Sequence, residues 1–211
     1  MPLIDKIENN DGLIGIWELS ETAGDLARQC KLSQNEKDQL ASFKFEKRQK
    51  EFVASRLLLQ HLLPEPGEIS YLQPSGKPVL NPKSLNISIS HSATLATVYL
   101  SKKNIGIDVE QINRNIDRVV KRFVHPSETS FLQQSDDPQF LKILLWSAKE
   151  AIFKCAGIQG VQFNEQIIIP PFNYRQQCEF SGKLIYPDGI ITFGLSFRII
   201  KDNVLVYCFQ Q

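Results

Sequence analysis

Two acidic residues stand two positions apart in the segment Gly-Ile-Asp-Val-Glu, as Asp108 and Glu110. If this segment is a β-strand, both carboxylates project from one side, while Ile107 and Val109 face the core. Carboxylates spaced by roughly 6.5–7 Å along a strand can converge on one hard cation. Two solvated acids on an exposed strand would have the same spacing, so this pair alone does not establish a site.

A third acid, Glu150, lies in a segment whose periodicity predicts a helix. The apolar residues of this helix form one stripe: Leu141, Leu144, Leu145, Ala148, Ile152 and Cys155. Glu150 falls on the opposite side, with Lys154 one turn later at i+4. Trp146 and Phe153 fall on the same side as Glu150, which indicates that this face is covered or lines a cleft. The alternative is an ordinary surface Glu–Lys pair.

Five further residues could bind the oxygens of a phosphate. Ser90 and His91 lie at the end of a short strand, where small hydroxyl residues flank the imidazole. Lys77 lies in a Gly-Lys-Pro turn and would act as a mobile point charge. Arg48 and Arg56 are eight residues apart on one helix and therefore nearly share a face. Each has a structural alternative: a core histidine, an exposed turn lysine, and arginines that keep a helix soluble.

Taken together, these side chains match the needs of phosphoryl transfer. Three carboxylates can hold Mg²⁺, and Lys77, Lys154 and His91 could neutralise a pyrophosphate. Phosphoryl transfer depends mostly on positioning and charge stabilisation, so this set is sufficient. The sequence has neither a G-x-x-x-x-G-K-S/T loop nor the protein-kinase motifs, which excludes the commonest nucleotide enzymes. Metal-dependent hydrolysis of a pyrophosphate, with water as nucleophile, would use the same residues.

The elements that must position these residues repeat along the chain. Ile-Gly-Ile occurs at 14–16 and again at 105–107, each time in a β-like run. Strand-like segments close both halves, and helical regions precede them at 44–63, 113–134 and 138–156. This order predicts an α+β fold with two similar halves, 1–102 and 103–211, related by a pseudo-twofold with the active site at the seam. Chance similarity between two short strands is the alternative.

Composition and charge narrow the class of protein. The 211 residues are 42% hydrophobic and 22% charged, which is typical of a globular protein and excludes disorder. There are 24 Lys plus Arg against 23 Asp plus Glu, so we expect no nucleic-acid partner and only local recognition of anions. The four cysteines are scattered, which argues against a disulfide scaffold or a zinc site. The N-terminus is polar and no apolar run approaches ~20 residues, so we expect a cytoplasmic protein that does not bind a membrane.

In their order along the chain, these motifs resemble those of the 4′-phosphopantetheinyl transferases, from about Arg48 to Lys154. Gly-Ile-Asp-Val-Glu and, about 35 residues later, Trp-Ser-Ala-Lys-Glu-Ala-x-x-Lys resemble the paired signature of that family. Gly-Lys-Pro, Ile-Ser-His-Ser and Arg-Phe-Val-His-Pro-Ser-Glu resemble further motifs, except that His125 stands where the family commonly has a serine N-cap. The length and the two similar halves resemble the longer, Sfp-like type, for which a monomer is expected.

The resemblance implies a reaction and a set of ligands. The phosphopantetheine arm of coenzyme A would move to a serine of an apo acyl or peptidyl carrier protein, which releases 3′,5′-ADP. By resemblance, Asp108, Glu110 and Glu150 would hold Mg²⁺, for which Mn²⁺ can substitute, together with the pyrophosphate of coenzyme A. A module that binds coenzyme A without catalysis is an alternative that the presence of all these residues makes less attractive.

The resemblance also implies individual roles. Glu150 would take the serine proton, directly or through a metal-bound water, and Lys154 would stabilise charge on the leaving phosphate. His91, which belongs with these two in the catalytic set, and Lys77 would hold coenzyme A phosphates, and Ser90 would add a hydrogen bond. Arg48 and Arg56 match basic positions near the nucleotide 3′-phosphate. Carrier proteins are usually acidic, which makes two basic patches candidate docking surfaces: Lys44, Lys47, Arg48 and Lys50, and Arg118, Lys121 and Arg122. The alternative is a solvated helix face, which is slightly favoured for the first patch.

Overall fold

The computed structural model describes residues 3–9, 11–176 and 178–211, which fall into two units, Met1–Lys102 and Lys103–Gln211. Each unit has its own antiparallel sheet with a long helix packed against it, which is the predicted α+β class. Among the described residues, no helix has both the length and the apolar composition needed to cross a lipid bilayer.

In the first unit, a four-stranded sheet has the order β1-β2-β6-β5, and β3 pairs with β4 separately. The strands are β1 (Leu3–Asn9), β2 (Gly12–Glu18), β3 (Glu68–Tyr71), β4 (Pro78–Asn81), β5 (Asn86–His91) and β6 (Leu95–Ser101). The helices are α1 (Ala23–Gln29), α2 (Gln34–Ser42) and α3 (Glu46–Leu62). Val53, Leu57 and Leu58 on α3 are fully buried and join Trp17 and Val98 of the sheet in one core.

In the second unit, a five-stranded sheet has the order β7-β11-β10-β9-β8. The strands are β7 (Ile105–Gln111), β8 (Ile167–Ile168), β9 (Glu179–Tyr186), β10 (Gly189–Ile200) and β11 (Asn203–Gln210). The helices are α4 (Val120–Phe123), α5 (Thr129–Gln133), α6 (Pro138–Ala156) and α7 (Phe163–Gln166). The apolar stripe predicted for 138–156 is confirmed, because Leu141, Leu144 and Ile152 are fully buried against this sheet.

The two units have the same order of elements around the strand that contains the repeated Ile-Gly-Ile. In each, the strand with this sequence precedes a long helix and then a hairpin, whose last strand pairs antiparallel with that first strand. The repeated glycine lies under the long helix both times. A Cβ on Gly15 would lie 3.0 Å from Leu58 on α3, and one on Gly106 would lie 1.9 Å from the carbonyl oxygen of Ala151 on α6. Close approach of helix to strand is therefore a common feature of both units.

The helix expected over 113–134 is broken in the structure. It consists of 3₁₀ turns at Asp117–Val119 and Pro126–Glu128 together with the short helices α4 and α5. Pro126 explains the interruption, since proline disfavours helical backbone in the preceding residue, and His125 is extended with φ −71° and ψ 146°. The imidazole of His125 accepts a hydrogen bond from the Ser127 N–H and so caps the 3₁₀ turn.

Candidate functional site

The site in the second unit forms where α6 crosses β7. Asp137 caps the start of α6 by accepting the Phe140 N–H at 3.0 Å, and Gly157 ends the helix in the left-handed conformation at φ +65°. Midway, the absence of a side chain at Gly106 lets the backbone of α6 lie directly on the strand. Because of this contact, side chains on one face of α6 reach those that β7 presents.

Asp108 on β7 accepts hydrogen bonds from two side chains of α6. The Lys154 ammonium donates to its Oδ1 at 2.8 Å, and the Ser147 hydroxyl donates to its Oδ2 at 2.9 Å. Lys154 also donates to the carbonyl of Ile107 at 3.0 Å. Asp108 is only 5% exposed, so these bonds compensate a carboxylate that water scarcely reaches. Of the predicted site residues, Asp108 and Lys154 are thus in direct contact.

Glu110 accepts two donors at one oxygen. Its Oε1 receives the indole N–H of Trp146 at 3.1 Å and forms an ion pair with the guanidinium of Arg114. The amide of Gln139 on α6 donates to the Arg114 carbonyl at 2.9 Å, which fixes the backbone of the turn that follows β7. The sequence did not indicate that Arg114 pairs with Glu110. Positions four apart on an extended strand are too distant for their side chains to pair, and only the turn after Gln111 brings Arg114 back to Glu110.

Glu150 lies within the electric field of the same groups. Burial raises the pKa of its carboxyl from 4.5 to about 7, and the negative charges of Asp108 and Glu110 add to the increase. The cations of Lys154 and Arg114 oppose it. A carboxyl group with a pKa near neutrality can exchange a proton under ordinary conditions, as a general acid or base must.

The chemistry of these donors fits a divalent cation of the Mg²⁺ type, which prefers carboxylate oxygens. Within the described parts of the chain, no three His, Cys, Asp or Glu side chains form a ready-made metal site. The three acids nevertheless act on one another, since Asp108 and Glu110 raise the pKa of Glu150. In this arrangement, Lys154 and Arg114 neutralise the charge that a bound cation would otherwise balance.

A buried ion pair supports the far side of α6. The ammonium of Lys149 lies 2.8 Å from a carboxylate oxygen of Glu128, and both side chains are fully buried. Lys149 also donates to the carbonyls of Phe123 at 2.6 Å and Ile167 at 2.7 Å. Burial lowers the pKa of Lys149, and the charge of Glu128 counteracts this shift. The pair joins α6 to the segments on either side of it, next to Glu150 in the chain.

Aromatic side chains cover the face of α6 that carries Trp146 and Phe153. The ring centroid of Trp146 lies 5.3 Å from that of Phe123 and 5.9 Å from that of Phe163. Phe153 packs against the same Phe163 at 5.6 Å. The sequence left open whether this face is covered or lines a cleft, and in the structure these residues are packed. Trp146 keeps its indole N–H directed at Glu110.

Arg48 and the Gly-Lys-Pro turn border one cleft of the first unit. The cleft has a volume of about 620 Å³, and its lining includes Arg48, Tyr71 and Gly76. Arg48 is exposed and forms a 3.3 Å ion pair with Glu51. Lys77 directly follows Gly76 and precedes β4. Arg48 and Gly76, which are distant in the chain, therefore line the same cleft of this unit.

Arg56 departs from the expectation that it grips a phosphate. It is 2% exposed, and its Nε donates to Glu36 at 2.8 Å. Its guanidinium also donates to the carbonyl of Ile69 and lies 3.4 Å from the ring centroid of Phe52. These contacts bury the guanidinium among protein groups, and they join α3 to α2 and β3.

Ser90 and His91 are the last residues of β5, opposite Thr97 and Ala96 of β6. Ser90 is buried and His91 is half-buried. The carbonyl of Ser90 accepts a hydrogen bond from the Thr97 hydroxyl at 3.1 Å. The expected position at the end of a strand is thus observed, and a role for either side chain in binding phosphate stays a prediction.

Comparison with known proteins gives a family match within the second unit and partial matches to curated relatives. Residues 104–182 match the 4′-phosphopantetheinyl transferase superfamily. A Bacillus subtilis 4′-phosphopantetheinyl transferase is 32% identical over 129 residues, which are 59% of this chain and 55% of that protein. Enterobactin synthase component D of Salmonella typhimurium is 33% identical over 136 residues, 60% of this chain and 53% of that protein. The matched part spans about half the length of these curated relatives. The crystal structure of Thermotoga maritima holo-[acyl-carrier-protein] synthase covers 51% of this chain and 62% of its own, with 17% identity and a TM-score of 0.43.

Proposed function

We propose that the chain is a member of the 4′-phosphopantetheinyl transferase superfamily, which residues 104–182 match, and that it transfers the phosphopantetheine arm of coenzyme A to a serine of an apo carrier protein. The other product is 3′,5′-ADP. The observation that carries the proposal is the cluster in which Asp108, Glu110 and Glu150 interact and Lys154 contacts Asp108, all within the matched region. We further propose the longer, Sfp-like type and a monomer.

Asp108, Glu110 and Glu150 are the residues that would hold Mg²⁺, or Mn²⁺ in its place. When bound, such a cation supplies positive charge that stabilises the pyrophosphate of coenzyme A. The chain's own residues then divide the remaining work. Ser147 and Lys154 fix the orientation of Asp108, and Trp146 fixes that of Glu110.

Glu150 is the group we assign to the proton of the attacking serine, which it accepts directly or through a water. Without a metal, burial raises the pKa of this carboxyl to about 7. A bound cation would lower the pKa again, which favours the route through a metal-bound water. The serine oxygen forms a bond to the β-phosphorus while the bond to the bridging oxygen breaks, and the electron pair leaves with 3′,5′-ADP. The ammonium of Lys154 stabilises the negative charge that develops on that leaving group.

The first unit would supply contacts to coenzyme A. The cleft that Arg48 and Gly76 line is the candidate site for the nucleotide, since Arg48 supplies a cation and the half-buried Lys77 directly follows Gly76, although Glu36 and Glu68 also line it. His91, within the catalytic set, and Ser90 are further candidates for the phosphates. Arg56 is left out of this proposal because it is buried in an ion pair.

For the carrier, we propose the basic patch at the start of α3 as the docking surface. It consists of Lys44, Lys47, Arg48 and Lys50, and it flanks Phe45, whose side chain is 75% exposed. An acidic carrier could pair with these cations around an apolar anchor. The second patch, Arg118, Lys121 and Arg122, is also exposed and is the alternative surface.

Intact-mass spectrometry of an apo acyl carrier protein, incubated with this protein, coenzyme A and Mg²⁺, tests the function. We expect a gain equal to one phosphopantetheine, absent with EDTA or with the Glu150→Gln variant. Consumption of coenzyme A with no gain on acyl or peptidyl carriers would identify a pyrophosphate hydrolase instead. Binding of coenzyme A without either reaction would identify a non-catalytic module.

A further inference from the structure

Arg114 is a cation that the proposed chemistry leaves without a role. It lies in the turn after β7, where its N–H donates to the Gln111 carbonyl at 3.1 Å. Its guanidinium is paired with Oε1 of Glu110, a carboxylate to which we have assigned metal binding. The Arg114 side chain is 48% exposed whereas that of Glu110 is 14% exposed, so the arginine reaches in from solvent to a largely enclosed acid.

The charges of the cluster explain why this contact matters. Among the described residues, the cations that oppose Asp108, Glu110 and Glu150 are Lys154 and Arg114. Lys154 is held by Asp108 and by the carbonyl of Ile107, and it has a proposed role in transfer. Among the described hydrogen bonds and ion pairs, the side chain of Arg114 contacts the cluster through Glu110 alone. Of the two cations, Arg114 is therefore the one whose departure disturbs the site least.

We propose that Arg114 is an internal competitor of the divalent cation, occupying Glu110 until the cation displaces it and thereby weakening metal binding. The proposal deepens the proposed function, on which it rests for the identity of the metal ligands. Oε1 of Glu110 already accepts two donors, Trp146 and Arg114, so a hard cation can bind this oxygen only after one of them leaves, and the positive charges of the cation and the guanidinium repel each other. Binding of the cation thus includes the breaking of one exposed ion pair.

Trp146 keeps Glu110 in position when Arg114 leaves. The indole N–H bond to Oε1 is 3.1 Å long, and the ring is packed between Phe123 and Phe163. Because neighbouring rings hold Trp146 in place, its side chain is less free to move into solvent than the exposed side chain of Arg114. The carboxylate is therefore held by one permanent donor, Trp146, and one exchangeable donor, Arg114, and the exchangeable donor is the one that competes with the metal.

The test is calorimetric titration of the full chain with Mn²⁺, without coenzyme A or carrier. Arg114→Gln should bind Mn²⁺ about three- to tenfold more tightly than the native protein, the range expected for losing one half-exposed opposing charge. Arg114→Lys, which keeps the charge, should stay close to the native affinity. Arg175→Gln is the matched control, because it removes another exposed arginine from an exposed ion pair of the same unit, with Asp136.

A double-mutant cycle with Glu110→Gln establishes whether Arg114 acts through Glu110. In that background, Arg114→Gln should no longer change the affinity for Mn²⁺. Equal tightening in both backgrounds would overturn the proposal, because the arginine would then act through the general field of the site. Unchanged or weaker binding by Arg114→Gln would overturn it as well. A native protein that binds no Mn²⁺ would instead refute the metal ligands of the proposed function, and with them this inference.

Discussion

At the scale of single residues, Asp108 determines the geometry of the cluster. One carboxylate orients both the hydroxyl of Ser147 and the ammonium of Lys154, and it is nearly inaccessible to water. Each partner is on α6, so the carboxylate also fixes the helix relative to β7. A substitution of Asp108 should therefore report on the reaction rather than on folding only if the new side chain has a similar shape.

Asp108→Asn and Glu150→Gln keep the size of the side chain and remove its charge. We expect each to lower the rate of transfer by at least ~100-fold, since each removes a proposed metal ligand and Glu150 also the base. Transfer measured by mass spectrometry under excess coenzyme A checks this, with circular dichroism to verify folding. Glu179→Gln, at an exposed position on β9, is the control. Native turnover in both variants would refute the assigned site.

Lys154→Ala tests a role in the transition state. We expect the turnover number to fall more than the apparent affinity for coenzyme A, because the charge that Lys154 meets develops only as the leaving group departs. Steady-state kinetics with varied coenzyme A separate the two quantities. A raised Michaelis constant with an unchanged turnover number would assign Lys154 to binding alone.

The pKa of Glu150 predicts how the stability of the metal-free protein depends on pH. Its folded value of about 7 exceeds the ordinary 4.5, so the folded state keeps this proton over a range in which the unfolded chain has lost it. The contribution of Glu150 to stability is thus present below 4.5 and is lost as the pH rises through 7. Urea unfolding at pH 5 to 8 in EDTA should show a steeper decline for the native protein than for Glu150→Gln. Parallel curves would contradict the shift.

The sequence could predict the role of a residue only where that role depends on nearby residues in the chain. Asp108, Glu110, Glu150 and Lys154 follow from strand and helix periodicity, and the structure brings them together. The burial of Arg56 depends on Glu36, which lies twenty residues away, so helix position alone could not reveal it. Lys149 did leave a signal that was overlooked, because it follows Leu145 by four residues and precedes Ile152 by three. A charge at a stripe position indicates a buried partner.

At the scale of elements, periodic segments were predicted well and short ones were not. The predicted helix at 138–156 agrees with α6, since it has a long, regular apolar pattern. The sequence analysis missed β1, α1 and α2, which are short and carry few buried residues. The helix predicted over 113–134 failed at Pro126, where the chemistry of one residue overrides the pattern.

The repeated glycine predicts an asymmetry between the two strand–helix crossings. At Gly106, an added Cβ would meet backbone of α6 at 1.9 Å, whereas at Gly15 it would meet the side chain of Leu58 at 3.0 Å. Gly106→Ala should therefore destabilise the protein by ~3 kcal/mol or more, at or above the upper end for overpacking, and Gly15→Ala by clearly less. Chemical denaturation of both variants measures this difference. Equal losses would mean that α6 yields as easily as a leucine side chain.

At the scale of the whole molecule, the near balance of charge makes local patches the surfaces that matter. The total is 24 basic against 23 acidic residues, yet the start of α3 presents three exposed cations beside an exposed phenylalanine. A large exposed aromatic ring among cations is a common anchor for a protein partner. The two units are each built around their own core, so this patch can be changed without loss of the acidic cluster.

Phe45→Ala tests the docking surface directly. We expect the Michaelis constant for the carrier to rise several-fold, with that for coenzyme A unchanged, because an exposed ring contributes contact area only in the complex. Kinetics with each substrate varied in turn check this. Ile190→Ala removes another exposed apolar side chain, 61% exposed on β10, and should have no effect. If Phe45→Ala behaves as Ile190→Ala does, docking belongs to Arg118, Lys121 and Arg122.

The buried ammonium of Lys149 has a consequence for communication within the second unit. It bonds the carbonyl of Phe123, the residue directly after Arg122, and it immediately precedes Glu150 in the chain. A displacement of the backbone at Arg118–Arg122 would therefore be passed through this buried side chain to the backbone next to Glu150. A partner bound at that surface would then be coupled to the residue to which we assign the proton of the serine.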